Sequence, residues 1–185
     1  MININFPLND KSVLKSLKAG DRVLLSGTIY TARDAAHKKL VEMIKAGKEL
    51  PVDLKDIAIY YTGPCPTPKN KPIGSCGPTT SGRMDAYAPL LLDLGQAVMI
   101  GKGERNRDVI NACKRNSAVY LASPGGAGAL LASCVKDCKV IAFPELLSEA
   151  IHRLTVKDMP LIVAIDTEGN DIYRIGREQY KITKE

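Results

Sequence analysis

Short apolar runs that alternate with helical patterns set the main limit on what this chain can fold into. Val23 to Ile29, Ile57 to Tyr61, Ala97 to Ile100, Ala118 to Ala122 and Lys139 to Phe143 have the length and apolar content of strands. Between the first four lie stretches with helical spacing. Ala36, Leu40, Met43 and Ile44 predict a helix over residues 32–46. Met84, Tyr87, Leu91 and Leu94 predict a second, ending at Gly95 with Pro89 in its first turn or kinking it, and Asn106 caps a third from Arg107 to Arg115. Thr31 and Asp34 stand three apart, the pattern of a capping box, so the first helix is expected to start there. This order predicts an α/β domain, a sheet with flanking helices. The segment before Leu17 is expected to form one or two short strands, and Ser148 to Lys157 a strand or a short helix. Leu161 to Ile165 and Ile172 to Ile175 read as a hairpin closed near Glu168 to Asp171.

With 185 residues, 45% apolar and 25% charged, the chain reads as a single globular domain over 1–185. No apolar run reaches the roughly 18 residues of a membrane span, and Met1 to Phe6 lacks the regions of a signal peptide. The expectation is a cytoplasmic protein that makes no membrane contact. A net charge of +6 fits a nucleic-acid surface or a site for small anions. Trp is absent, Phe occurs twice and the basic residues are scattered, which argues against base stacking and for the small anion. The five cysteines, Cys65, Cys76, Cys113, Cys134 and Cys138, contain no C-x-x-C pair and read as buried thiols. Cys134 and Cys138 share a face if that stretch is helical, but two thiols alone do not predict a metal site.

Residues from Thr62 to Gly82 hold five prolines and four glycines, a length without regular structure that in a compact domain points to function. Its distal part, Gly74 to Asp85, combines glycines for close backbone approach with the hydroxyls of Thr79, Thr80 and Ser81 and the planar fork of Arg83. Arg33 falls in the first helical turn, where a cation opposes the helix dipole unless a carboxylate bonds both its guanidinium and the free amides there. His37, one turn on, lines the same place or packs on the helix. Lys102, between Gly101 and Gly103, is expected to be exposed and able to reach a ligand. Ser123-Pro-Gly-Gly-Ala-Gly128 reads either as a phosphate-binding turn or as close packing of a helix on a strand. All of these follow predicted strands, where α/β sheets place their ligand crevice. Three cations with no acid stacked against them suit a small dianion such as a dicarboxylate.

With these residues assembled, the chain resembles the β subunit, or equivalent C-terminal domain, of the class I iron–sulfur fumarate hydratases and the related L(+)-tartrate dehydratases. The resemblance runs from Leu25-Ser-Gly-Thr-Ile-Tyr-Thr-Ala-Arg-Asp34 to Glu168-Gly-Asn170. It rests most on Gly77-Pro-Thr-Thr-Ser-Gly-Arg-Met-Asp85, Gly101-Lys-Gly103 and Ser123-Pro-Gly-Gly-Ala-Gly128. It implies a swivelling β/β/α domain with a mixed sheet, which strand order alone does not yield. It also implies a hydro-lyase interconverting malate with fumarate and water, whose four-iron, four-sulfur cluster is held by a partner α subunit and not by this chain. Arg33 and Arg83 match the substrate-carboxylate clamps, Lys102 a further substrate contact, and Thr79 the threonine proposed to take the C3 proton. The implied assembly is a hetero-oligomer. Tartrate as substrate, or a stand-alone module binding a small anion or phosphate, are the other readings, and an RNA-binding domain is disfavoured.

Overall fold

The computed structural model describes residues 1–182. The strands are β1 (Ile2–Phe6), β2 (Arg22–Thr31), β3 (Ala58–Tyr60), β4 (Val98–Gly101), β5 (Val119–Ala122), β6 (Val135–Ala142) and β7 (Ile151–Ile165). The helices are α1 (Ser12–Lys15), α2 (Asp34–Lys45), α3 (Ala88–Asp93), α4 (Arg107–Asn116), α5 (Gly128–Cys134) and α6 (Ile172–Gln179), with 3-10 segments at Ser81–Met84 and Pro144–Glu149. None of the helices among the described residues is long and apolar enough to cross a membrane.

Strands β1 to β5 pair in chain order and in parallel. The long β7 runs antiparallel and pairs with β2 along one edge, and with β6 and then β5 along the other. Because β7 joins β2 to β5, strands β2, β3, β4, β5 and β7 close into a ring. Period-two alternation on β3 to β5 then sorts their side chains into two cores. Tyr60, Val98, Ile100, Val119 and Leu121 pack inward with β1, β2, β7 and α5. Ile59, Met99 and Tyr120 face outward and are covered by α2, α3 and α4. These strands are buried on both faces, which is why they read as continuous apolar runs. The fold is thus mixed α/β, with one sheet and flanking helices.

Most predicted elements lie within a residue or two of the observed ones. Pro89 falls in the first turn of α3, where its missing N–H costs no intrahelical bond. Asn106 caps α4 by accepting from the Val109 amide at 3.0 Å.

The segment before Leu17 forms one of the expected short strands, followed by a short helix. Cys134 ends α5 and Cys138 sits in β6, so the condition for a shared helical face is not met. Two expectations are overturned. The hairpin at the C-terminus is absent: Leu161 to Ile165 ends the 15-residue β7, and Ile172 to Ile175 opens α6. There Asp171 accepts from the Tyr173 amide at 3.0 Å, a local cap that turns the chain into a helix. Thr31 and Asp34 form no capping box. The Thr31 hydroxyl donates to Ala150 O at 3.3 Å and accepts from the His152 amide at 3.0 Å, joining β2 to β7.

Candidate active site

The carboxyl ends of β2, β3, β4 and β5 deliver Arg33, the Thr62 to Gly82 stretch, Lys102 and the Ser123 loop to one edge of the sheet. Backbone bonds tie them together. The Thr79 amide donates to Tyr61 O at 2.6 Å, and the Lys102 amide to Thr79 O at 3.3 Å. Thr80 forms a parallel bridge with Lys102, and the Ser81 amide closes onto Lys102 O at 2.8 Å. Thr79 and Lys102 are therefore held side by side, with Thr79 buried to 9% exposure. On the far side of Lys102, its ammonium nitrogen lies 3.8 Å from where a Cβ on Gly125 would be. The two glycine loops also meet directly, since a Cβ on Gly128 would fall 2.5 Å from Ser75 Oγ and 3.0 Å from the Gly77 nitrogen. Gly128 thus serves the approach of one loop to the other, and not the packing of a helix on a strand.

Gly101 has an unforeseen purpose. A Cβ there would sit 2.0 Å from Ser81 Oγ, so the glycine admits Ser81, which is fully buried and whose hydroxyl is hydrogen-bonded to that of Tyr120 at 2.9 Å. Tyr120 donates its one proton to Gly103 O at 2.9 Å, leaving its oxygen to accept from Ser81, and Tyr173 of α6 accepts from the Gly103 amide at 3.2 Å. Lys102 is consequently half-buried between packed neighbours rather than exposed.

The arginines are not free cations. Arg83 donates Nε and Nη2 to the two oxygens of Asp34 at 2.8 and 2.5 Å. Arg33 donates Nη2 to Glu149 Oε1 at 2.8 Å, and its Nε is buried without a hydrogen bond, 4.0 Å from Asp34 Oδ2. Arg33 is also the N-cap residue of α2 and not a member of its first turn. The expectation of three cations without acids is corrected: of the three, only Lys102 lacks an ion pair among the described residues, and Arg33, Arg83 and Lys102 outnumber Asp34 and Glu149 by one charge. A carboxylate does bond both the Arg33 guanidinium and an amide of the α2 first turn, but it comes from this chain, because Glu149 Oε2 accepts from Ala35 N at 2.7 Å.

Two residues support this edge from below. His37 is fully buried, with Nδ1 3.1 Å from Arg33 O and its ring edge-on to Tyr61 at 5.1 Å. Desolvation pushes its imidazole down to about 4, so it is a neutral packing residue at ordinary pH. Arg105, which sequence reasoning passed over, is buried between the rings of Tyr61 and Tyr120, 5.4 and 5.1 Å from their centroids. It donates to Asp85 at 2.6 Å, and Asp85 also accepts from the Asn106 amide at 2.7 Å. Asp85 thus anchors the end of the glycine loop to the start of α4. An arginine in a charged stretch carries no local mark of burial; the one usable signal was an acid closing the loop that had to find a partner.

Cys113 lies on the buried face of α4 with its thiol pushed up to about 12 by desolvation, as is that of Cys76. Among the described residues, no group of three or more His, Cys, Asp or Glu side chains is placed to hold a metal ion.

Comparison with known proteins places this geometry in a family. The family described as Fumarase C-terminus matches residues 1–176. The chain is 43% identical over 176 residues to fumarate hydratase class I, anaerobic, of Escherichia coli strain K12, covering 94% of this chain and 32% of that protein. It is 43% identical over 162 residues to fumarate hydratase 2 of Leishmania major, covering 86% and 28%. It thus spans about a third of the length of these relatives. A protein of Methanocaldococcus jannaschii with the provisional name L(+)-tartrate dehydratase subunit beta is 40% identical over 178 residues, covering 92% of this chain and 91% of its own length. The chain belongs to the fumarase C-terminus family.

Proposed function

We propose that this chain is the β subunit of an iron–sulfur hydro-lyase that interconverts (S)-malate with fumarate and water, and that it acts with a separate, cluster-bearing α subunit in a hetero-oligomer. The observation that carries the reading is the gathering of Arg33, Thr79, Arg83 and Lys102 at the carboxyl edge of one sheet. Supporting it are relatives named fumarate hydratase that are about three times as long and a chain-length relative named as a subunit. Charge supports the need for a partner as well. The three cations exceed the two acids by one, so a bound dicarboxylate leaves the site negative unless a further positive group faces it.

In this reading the chain binds and orients. Arg83, with Nε and Nη2 on Asp34, offers Nη1 to one carboxylate. Arg33, with Nη2 on Glu149 and its buried Nε 4.0 Å from Asp34 Oδ2, offers the rest of its fork to the other carboxylate. Fixing both ends of the substrate aligns its C3–H with a base and its C2 hydroxyl with the partner. The cluster, when present on the partner, supplies a Lewis acid for that hydroxyl. Thr79 stands beside the C3 proton. A hydroxyl is a poor base near neutral pH, so its alkoxide depends on the adjacent Lys102 charge or on relay to a better base. Positive charge here also stabilises the negative charge that develops on the carboxylate as the proton leaves. The swivelling β/β/α architecture belongs to the same proposal: β6, β7 and β2 form the antiparallel layer and β3 to β5 the parallel one.

Anaerobic assembly with a cluster-bearing chain, followed by fumarate-hydration assays, tests the proposal. Activity is expected only with both chains, and Arg83→Ala should lower kcat/KM by about 100-fold or more without preventing assembly. Near-normal kinetics remove Arg83 from the site. A second reading, dehydration of L(+)-tartrate by the same residues, is favoured by the chain-length match to the M. jannaschii protein. Turnover of tartrate and not of malate or fumarate selects it.

A further inference from the structure

Residues 143–149 link β6 to β7 and carry two non-glycine residues with left-handed φ, Phe143 at 55° and Leu147 at 53°. Leu147 also has ψ −114° and an exposed side chain. Backbone in such conformations persists only where its surroundings hold it. Two carboxylates of the segment supply the hold, both on α2. Glu145 pairs with Lys39, which also lies over the Phe143 ring at 4.9 Å. Glu149 reaches the start of the helix, taking Arg33 Nη2 at 2.8 Å on Oε1 and the Ala35 amide at 2.7 Å on Oε2. Since α2 has no side-chain cap of its own, Glu149 caps it from 114 residues away in sequence.

The same contact fixes the Arg33 guanidinium. Its other side rests on the backbone at Gly63, where a Cβ would come within 2.9 Å of Cζ and Nη1 and 3.1 Å of Nε. With glycine on one side and a carboxylate on Nη2, the fork has little freedom to turn. We infer that Glu149 is a positioning residue for Arg33, holding the guanidinium so that the part of its fork neither bound to Glu149 nor turned to Asp34, which lies 4.0 Å from Nε, remains the donor for a substrate carboxylate. The inference rests on the functional reading above. It has a sharp competitor: Glu149 as a stand-in carboxylate that the substrate must displace. The two differ in sign. Removing a positioning residue weakens substrate binding, whereas removing a competitor strengthens it.

The test uses the full chain assembled with its cluster-bearing partner, comparing wild type with Glu149→Ala and Glu149→Gln. Glu149→Ala should lower kcat/KM by about 10–100-fold, mainly by raising KM, and sodium formate should restore several-fold of that loss in this variant alone. Glu149→Gln should fall between, because its amide oxygen still accepts from Arg33. An unchanged or lowered KM for Glu149→Ala overturns the inference, as does a loss that formate leaves untouched. Should Glu149→Ala fail to fold, Glu149→Gln carries the comparison. A separate readout is the Arg33 Nε–H resonance in the chain alone, expected to exchange slowly with water in wild type and rapidly in Glu149→Ala. Equal exchange in both overturns the inference. An inactive wild-type complex overturns the functional reading, while the resonance still decides the role of Glu149.

Discussion

Gly101→Ala tests whether the site edge is built on the close approach of Ser81. The new Cβ would lie 2.0 Å from Ser81 Oγ, 3.2 Å from Tyr61 Cδ2 and 3.3 Å from Ser81 Cβ. Tyr61 and Ser81 Cβ can yield the few tenths of an ångström required. Ser81 Oγ cannot stay, since it must retreat by more than 1 Å to reach ordinary contact. Turning the hydroxyl away breaks its 2.9 Å bond to the Tyr120 hydroxyl and strands a fully buried polar group, at about 1–3 kcal/mol. Tyr120 keeps Gly103 O as acceptor, so it adds little. Ser81→Ala alone should cost about 1 kcal/mol for the lost hydrogen bond. The double variant has no hydroxyl to displace, so it should be nearly as stable as Ser81→Ala, with a coupling of about 1–2 kcal/mol. Urea unfolding of the full-length chain measures all three. If the two losses simply add, the clash is not with the Ser81 hydroxyl, and the reason given for Gly101 is wrong.

Asp85→Asn leaves the Arg105 guanidinium buried between two tyrosines without its carboxylate, and should destabilise the chain by about 3–5 kcal/mol in urea unfolding; a loss under 1 kcal/mol would mean the pair is not the anchor of the glycine loop. His37 gives a pH signature. Desolvation lowers its imidazole from 6.5 to about 4, so the unfolded chain binds the extra proton between those values. The stability that neutral His37 allows is complete above pH 6.5 and falls as pH drops toward 4, by about 1.4 kcal/mol per unit. Unfolding from pH 7.5 to 4.5 should therefore be steeper in wild type than in His37→Phe, and equal slopes would show that His37 takes no part.

How much of this was legible depends on the range of the interaction concerned. The strands β2 to β5 and helices α2 to α4 could be read because buried parallel strands and amphipathic helices stamp their periods on consecutive residues. The residues proposed for the site could be picked out for a related reason: Arg33, the Thr79 to Arg83 loop, Lys102 and the Ser123 loop each follow a recognisable strand. The Thr31 capping pattern misled because its hydroxyl is taken by β7, a strand more than a hundred residues distant. The C-terminal hairpin misled because a short apolar run does not say whether it ends a long strand or begins a helix.

From the sequence by itself came the α/β class, the loops that carry chemistry, and the four residues Arg33, Thr79, Arg83 and Lys102. Only the tertiary structure decided that β7 closes the sheet into a ring, that Asp34 and Glu149 occupy the two arginines, that Arg105 lies buried on Asp85, and that Gly101 exists to admit Ser81. The division has one physical cause. Propensity and periodicity are set by neighbours along the chain, whereas ion pairing, burial of charge and van der Waals fit are set by neighbours in space, brought from as far as Glu149 is from Arg33.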